Sequence, residues 1–168
     1  ALNTVLAQEA ARYNALTAEL SRGLSALSSA LAGHSQMSAE LEAVGAALLA
    51  GSVPTAWAAR AYPSTKPLGA WYEDLHARLD FVQTWVDAGA PHAFWMPGFF
   101  FPQAFLTAVL QNHARRHHVA VNRLSFSYEV EELPVEAVTR APTSGCLIHG
   151  LYIEGARWDR KKKLLAEP

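Results

Sequence analysis

The stretch from Phe94 to Arg116, FWMPGFFFPQAFLTAVLQNHARR, sets the tightest constraint on how this sequence can fold. Phe94, Trp95, Phe99, Phe100, Phe101 and Phe105 place six aromatic rings within a dozen positions, and Pro97-Gly98 between them is a turn signal. Pro102 suits the first turn of a helix, where its missing N–H has no intrahelical partner to lose. From Phe105 onward, Leu106, Val109 and Leu110 lead to His113 along one helix face. The stretch is therefore expected to be a turn, or a short strand and turn, clamped by aromatic rings onto a helix. Burying one large apolar residue contributes roughly 1.5 to 3 kcal/mol, so these rings can anchor a core. If Phe100 is buried among them, its truncation to alanine costs on the order of 3 to 5 kcal/mol.

Upstream, Leu6, Tyr13, Leu16, Leu20, Leu24, Leu27 and Leu31 recur mostly at threes and fours, which predicts a long amphipathic helix over 3–31. Gly23 weakens it by roughly 1 kcal/mol relative to alanine, and Gly33 is its stop. Such a helix must lie against a surface. Ser38 caps a second helix through Leu49, with Leu41, Val44 and Leu48 as its buried stripe and Glu40 and Glu42 at its positive end. Gly51 ends that helix. A coiled-coil seam is the competing reading of the leucine repeat, although few residues carry the paired charges that flank such seams. Pro54 opens a short third helix with Trp57, and Tyr62 to Gly69 form a proline-rich connector. A fourth helix follows from Ala70, built on Trp71, Leu75, Leu79, Val82 and Val86 with Tyr72 alongside, and closed by Gly89 and Pro91. Its other face carries Glu73, Asp74, Arg78 and Asp80, the composition of a solvated surface.

After His118 the period changes to two. Leu124, Phe126, Tyr128 and Val130 alternate with Ser125, Ser127 and Glu129, which predicts a half-buried strand, and a second strand is expected from Cys146 to Ile153 after the Pro142 to Gly145 turn. The fold class is therefore α+β, with a helical bundle over 1–118 and the first strands of a β subdomain over 119–168. Two or three strands make a marginal sheet, and the helical pattern is already under way at Ala1. Both features are expected of a piece of a longer polypeptide.

Chemistry is sparse in these residues. With 51% hydrophobic residues, 17% charged and a net charge of −1, the composition fits a globular segment and gives no sign of a nucleic-acid binder. The most apolar run, Ala43 to Ala50, is far short of the ~20 residues that span a bilayer. The lone Cys146 allows no internal disulfide and reads as a small buried residue. No Gly-rich phosphate loop, GxGxxG or GxSxG is present in the sequence. His113 and His117 share a helix face and could offer two imidazoles to a metal, but no third ligand is nearby in sequence, and a structural role is the competing reading. His149 alternates with apolar strand residues, as a core or seam histidine does. Two groups look more specific. Gln111 and Asn112 beside Arg115 and Arg116 can bond a neighbouring backbone. Arg157 and Trp158, in the run Glu154-Gly155-Ala156-Arg157-Trp158-Asp159, suit a locked corner or a docking contact.

At these residues the sequence resembles the C-terminal region of dynein heavy chains, the axonemal members above all. The resemblance runs through LNTVLAQEAARYNALTAEL, MSAELEAVGAALLAGSVPTAW, YPSTKPLGAWYEDL, FWMPGFFFPQAFLTAVLQNHARR and GCLIHGLYIEGARWD, which is nearly the whole sequence in order. Thr65, Met96-Pro97 and His113 depart from the usual leucine, aliphatic-serine and tyrosine, and are packing changes. The resemblance implies a helical part followed by an incomplete β-barrel-like subdomain, lying on the ring of AAA+ modules of its own heavy chain. It implies a non-catalytic brace with no nucleotide, cofactor or metal site, ATP and Mg being bound by the ring of the parent motor. Through that parent it implies other dynein subunits and microtubules as partners, minus-end-directed movement and a place in the cytoskeleton of the ciliary or flagellar axoneme, with no nucleic acid and no membrane. The structural and interface candidates are Phe94, Trp95, Phe99, Phe100, Phe101, Phe105, Gln111, Asn112, Arg115, Arg157 and Trp158. The alternatives are a free-standing helical interaction module whose first helix binds a partner, and a metal protein using His113 and His117.

Overall fold

The computed structural model describes residues 1–151, 155–159, 161, 162 and 164–167. Its architecture is α+β, a helical region followed by short strands, and it divides into two compact units. One is Leu6–Asp87; the other combines Ala1–Val5 with Ala88–Pro168.

The first unit is built along helix α1 (Leu2–Leu31). Tyr13, Leu16, Leu20 and Leu27 are buried along one stripe, and Gly23 falls in the same stripe between them. At Gly23 the stripe meets α3 (Thr55–Ala58): a β-carbon there would lie 3.3 Å from the Trp57 indole nitrogen. The helix-propensity cost of this glycine therefore coincides with a close packing contact. Leu27 meets α2 (Ala39–Leu49) at ordinary van der Waals distance from Gly45. Glu19 bridges Arg22 on the same helix and, at 3.1 Å, Arg60 just beyond α3. The stripe is thus occupied by elements of the same unit, and the leucines it leaves exposed, Leu24 and Leu31, lie seven positions apart. Both expected helix ends form. Gly33 adopts φ 77°, with His34 N–H donating to Ser29 O and Gly33 N–H to Ala30 O, while the Ser38 hydroxyl accepts from Leu41 N–H at the start of α2.

Helix α4 (Leu68–Ala88) differs from expectation. Its buried face is Trp71, Leu75, Arg78, Val82 and Trp85, while Val86 and Tyr72 are more than half exposed. Arg78, expected on the solvated face, lies inside the stripe, and Asp74 is withdrawn beside it. The physical reason is periodicity. Position 78 falls three after 75 and four before 82, so the helix carries it inward whatever its charge. Trp71 stacks between Trp57 and Tyr62, with both ring-centroid separations at 6.3 Å.

The second unit holds the aromatic stretch. Strand β1 (Ala93–Trp95) runs through a 3-10 turn, Met96–Gly98, to α5 (Pro102–His117), with Pro102 at the first helical position as its chemistry predicts. Phe105 is fully buried, and its ring lies 4.6 Å from that of Phe94 and 4.7 Å from that of Phe99. The six rings are therefore not equivalent. Phe94, Phe99 and Phe105 form the core, Trp95 and Phe100 are half-buried, and Phe101 is 50% exposed where it precedes α5. The full burial expected at Phe100 belongs to Phe105.

Strand β2 (Leu147–His149) pairs with β1 in parallel, matching Phe94 to Ile148 and Trp95 to His149. A parallel pair needs a long crossover, and the connection carrying α5 supplies it. The pairing closes at Gly150, which takes φ 78°; a β-carbon there would fall 2.8 Å from both Pro97 Cδ and Trp95 Cδ1. The expected strand from Leu124 to Val130 does not form, and Phe126, Tyr128 and Val130 are exposed. Alternation supplies an apolar face but not a partner edge, and β2, the expected neighbour, is taken by β1. The expected second strand shrinks to three residues, and Tyr152 and Ile153 lie outside the described residues. An antiparallel pair that the residue pattern does not signal, β3 (Arg157–Asp159) with β4 (Leu164–Ala166), follows instead. Its turn is held by the Asp159 carboxylate, which accepts from the N–H groups of Lys161 and Lys162.

Phe105→Ala is expected to destabilise the protein by about 3 to 5 kcal/mol and Phe101→Ala by less than about 1 kcal/mol, measured by equilibrium urea unfolding. Gly150→Ala, which combines a left-handed backbone with a steric overlap, is expected to cost about 1 to 3 kcal/mol in the same assay.

Candidate functional site

The residues singled out in the sequence fall into three places. Phe94, Phe99 and Phe105 are brought together as a core, with Trp95 against Gly150 beside them. Gln111, Asn112 and Arg115 lie on the C-terminal half of α5, the two amides half-buried and Arg115 exposed. The neighbouring Arg116 bonds a distant backbone, donating to Thr143 O at 3.3 Å, while His113 Nδ1 lies 3.4 Å from Ser144 Oγ. The turn before β2 is thereby fastened to one face of α5. Arg157 donates through Nε to Glu167 O at 2.8 Å and so closes the β3–β4 pair, with the half-buried Trp158 in register with Leu165. Glu154, part of the same expected corner, lies outside the described residues.

The histidine pair is a ring contact. The imidazoles of His113 and His117 lie 4.2 Å apart, and among the described residues no group of three or more His, Cys, Asp or Glu side chains could hold a metal ion. Burial pushes the Cys146 thiol up, which favours the inert thiol over the reactive thiolate. Burial also lowers the His149 imidazole, against the opposing field of Glu136. Among the described residues no helix is long and apolar enough to cross a membrane.

The most developed polar arrangement is one that the sequence pattern does not single out. It lies inside the helical unit, around Asp74 and Arg78 of α4. Arg78 Nε donates to Asp74 Oδ2 at 2.7 Å with both side chains at most 10% exposed, and Lys66, from the connector, donates to Asp74 Oδ1 at 2.6 Å. The Arg78 guanidinium carbon sits 3.6 Å from the centre of the Tyr62 ring, a cation–π contact withdrawn from water. Arg78 also bonds the Tyr13 hydroxyl of α1, and the buried Glu9 acts on Tyr13 from one helical turn away. Three elements therefore converge on one ion pair: α1, the connector and α4.

The electrostatics follow from this packing. Burial alone would raise the Asp74 carboxyl, but hydrogen bonds from Lys66 and Arg78 outweigh it and hold the group below the ordinary carboxylate range. Burial pushes the Tyr13 hydroxyl up to about 12, with Arg78 partly opposing it, and pushes the Tyr62 hydroxyl up as well. Both phenols stay neutral, and the arrangement holds elements together without presenting an activated nucleophile or base. The signal for it is present in the spacing of 71, 75, 78, 82 and 85. Assigning Arg78 to a face by its charge obscures that spacing.

A helical unit locked by a buried ion pair, and a second unit of short strands anchored on one phenylalanine, define an α+β packing module. A family described as the C-terminal domain of the dynein heavy chain matches residues 1–168. The sequence is 50% identical over 167 residues to dynein axonemal heavy chain 1 of Homo sapiens, covering 99% of this chain and 4% of that protein. It is 48% identical over 167 residues to dynein axonemal heavy chain 3 of Homo sapiens, with the same coverage. It is 46% identical over 166 residues to dynein axonemal heavy chain 12 of Homo sapiens, covering 99% of this chain and 5% of that one. The chain therefore belongs to the family of C-terminal domains of dynein heavy chains, and it spans only 4 to 5% of the length of these relatives.

Asp74→Ala strands a buried guanidinium and is expected to cost about 3 to 5 kcal/mol, whereas Lys66→Ala, at a half-exposed side chain, costs less than about 1 kcal/mol. Because the folded Asp74 value is depressed, its contribution is complete above the unfolded value of 3.8 and is lost as pH falls through the folded value. Tyr13 has the opposite sign: its contribution is complete below 10.0 and is lost as pH rises toward about 12. Urea midpoints measured across pH should show an acid limb that Asp74→Ala flattens and an alkaline limb that Tyr13→Phe flattens.

Proposed function

We propose that the protein is a non-catalytic C-terminal segment of an axonemal dynein heavy chain. In this reading it braces the AAA+ motor ring of that heavy chain and tunes ATP-driven, minus-end-directed movement on microtubules in the ciliary or flagellar axoneme. The single observation that carries the reading is the way α1 is held. One stripe of a 30-residue helix meets α2, α3 and α4 in turn, and a buried ion pair pins the connector beneath it. A segment tied at several places along its length bends little, and stiffness is what a brace requires. The partners in this reading are the ring modules of the same heavy chain, with microtubules and other dynein subunits engaged through the whole motor. Residues 119–168 belong to it as the start of the β subdomain. ATP and Mg are bound by the ring, and this segment supplies no catalytic group.

Titration of the purified 168-residue protein with MgATP is expected to give no binding heat, and tight binding would overturn the non-catalytic reading. In a dynein motor that contains this segment, Asp74→Ala is expected to change microtubule gliding velocity while leaving nucleotide binding by the ring intact. Unchanged gliding, with the local structure shown to be loosened, would overturn the bracing role.

A further inference from the structure

The C-terminal end of α5 has two differently used faces. His113 and Arg116 point to the turn before β2, where they meet Ser144 and Thr143. Gln111, Arg115 and His118, spaced by four and three, line an open surface hollow on the other face together with Ala114, Val119 and Val121. The hollow exists because His118 takes a left-handed conformation, φ 53°, and ends the helix. Val119 N–H then donates to Ala114 O at 3.0 Å, and the backbone turns back as a wall. Ala114 is buried, and Val119 and Val121 are exposed.

Two properties define what fits this hollow. The first is unused polar capacity. Among the described residues, the side chains of Gln111, Arg115 and His118 make no hydrogen bond or ion pair, although Gln111 is half-buried. The second is charge. A helix C-terminus carries about half a negative elementary charge, and Arg115 and Arg116 in the last turn bring two positive ones, so the end stays positive by roughly one and a half. Complementing the helix dipole therefore does not consume these cations. A carboxylate can take the planar fork of Arg115 with two parallel hydrogen bonds. The Gln111 amide, both donor and acceptor, can pair with a peptide backbone. The exposed Val119 and Val121 want an aliphatic neighbour beside the carboxylate, which a phosphate backbone does not supply, and a net charge of −1 gives no general attraction to polyanions.

We propose that this hollow is a docking site for an acidic peptide segment in which a carboxylate residue adjoins an aliphatic one. The site stands independently of the bracing role. Its test is fluorescence anisotropy of the full 168-residue protein with a capped, dye-labelled peptide alternating glutamate and leucine. Binding is expected, weakened about tenfold by Arg115→Gln and unchanged by Arg140→Gln, an exposed cation elsewhere. Replacing the peptide's glutamates by glutamine, or its leucines by serine, is expected to abolish binding. Circular dichroism melts of each variant separate loss of binding from loss of fold, and Gln111→Ala serves as a second variant with the same expected direction. Absence of binding, equal affinity for Arg115→Gln, or equal affinity for the glutamine peptide would overturn the proposal. So would displacement of the peptide from Arg115 by a single-stranded oligonucleotide or by anionic phospholipid vesicles at lower concentration, which would assign the surface to nucleic acid or membrane.

Discussion

A guanidinium and a carboxylate one turn apart on α4 are withdrawn from water in the middle of the helical unit, and the surrounding residues are arranged to make that tolerable. Isolated charges in such a place cost several kcal/mol each, so every hydrogen-bonding direction they offer must be used. Asp74 accepts from Arg78 and Lys66, while Arg78 reaches the Tyr13 hydroxyl and lies over the Tyr62 ring. The interaction therefore acts less as a source of raw stability than as a fixing point. The proline-rich connector has no regular structure of its own, yet the ion pair and the Tyr62–Trp71 stack hold it against α4. With the connector held, Trp71 reaches Trp57, and Trp57 settles over a position of α1 that has no side chain.

The second unit solves a different problem, a parallel strand pair only three residues long. So short a ladder has few hydrogen bonds, and packing must supply what they lack. Phe105 does this from α5 by holding Phe94, which lies on β1, and Gly150 lets the backbone leave β2 directly against Trp95 and Pro97. The turn before β2 is tied to α5 by Arg116. Helix, turn and strands are thus fixed by a few specific contacts, while the segment after α5 runs past with its alternating apolar residues exposed.

Membership of the family of dynein C-terminal domains gives these features a setting in which mechanical firmness matters more than chemistry. Titratable groups in the helical unit are shifted in the direction of inertness: two phenols kept neutral, one carboxylate kept charged. The α5 hollow differs in kind, because its polar groups are not consumed by packing.

Much of this is legible in the residues. The helix stops at Gly33 and Gly51, the Ser38 cap and the Pro102 start follow from local backbone chemistry, which depends on neighbours in sequence and little else. The leucine stripe of α1 and the aromatic anchor are equally local, being matters of period. Other features need the fold. Leu124 to Val130 have the alternation of a strand, but a strand is a relation between two segments, and only the tertiary arrangement decides which edges meet. Arg78 has the charge of a surface residue and the spacing of a core residue, and only the presence of Asp74, Tyr62 and Tyr13 around it lets the spacing prevail. The sequence by itself determined where helices begin and end and which family the protein resembles. The tertiary structure alone decided which charges are buried, because the cost of burying a charge is set by partners that lie far apart in sequence.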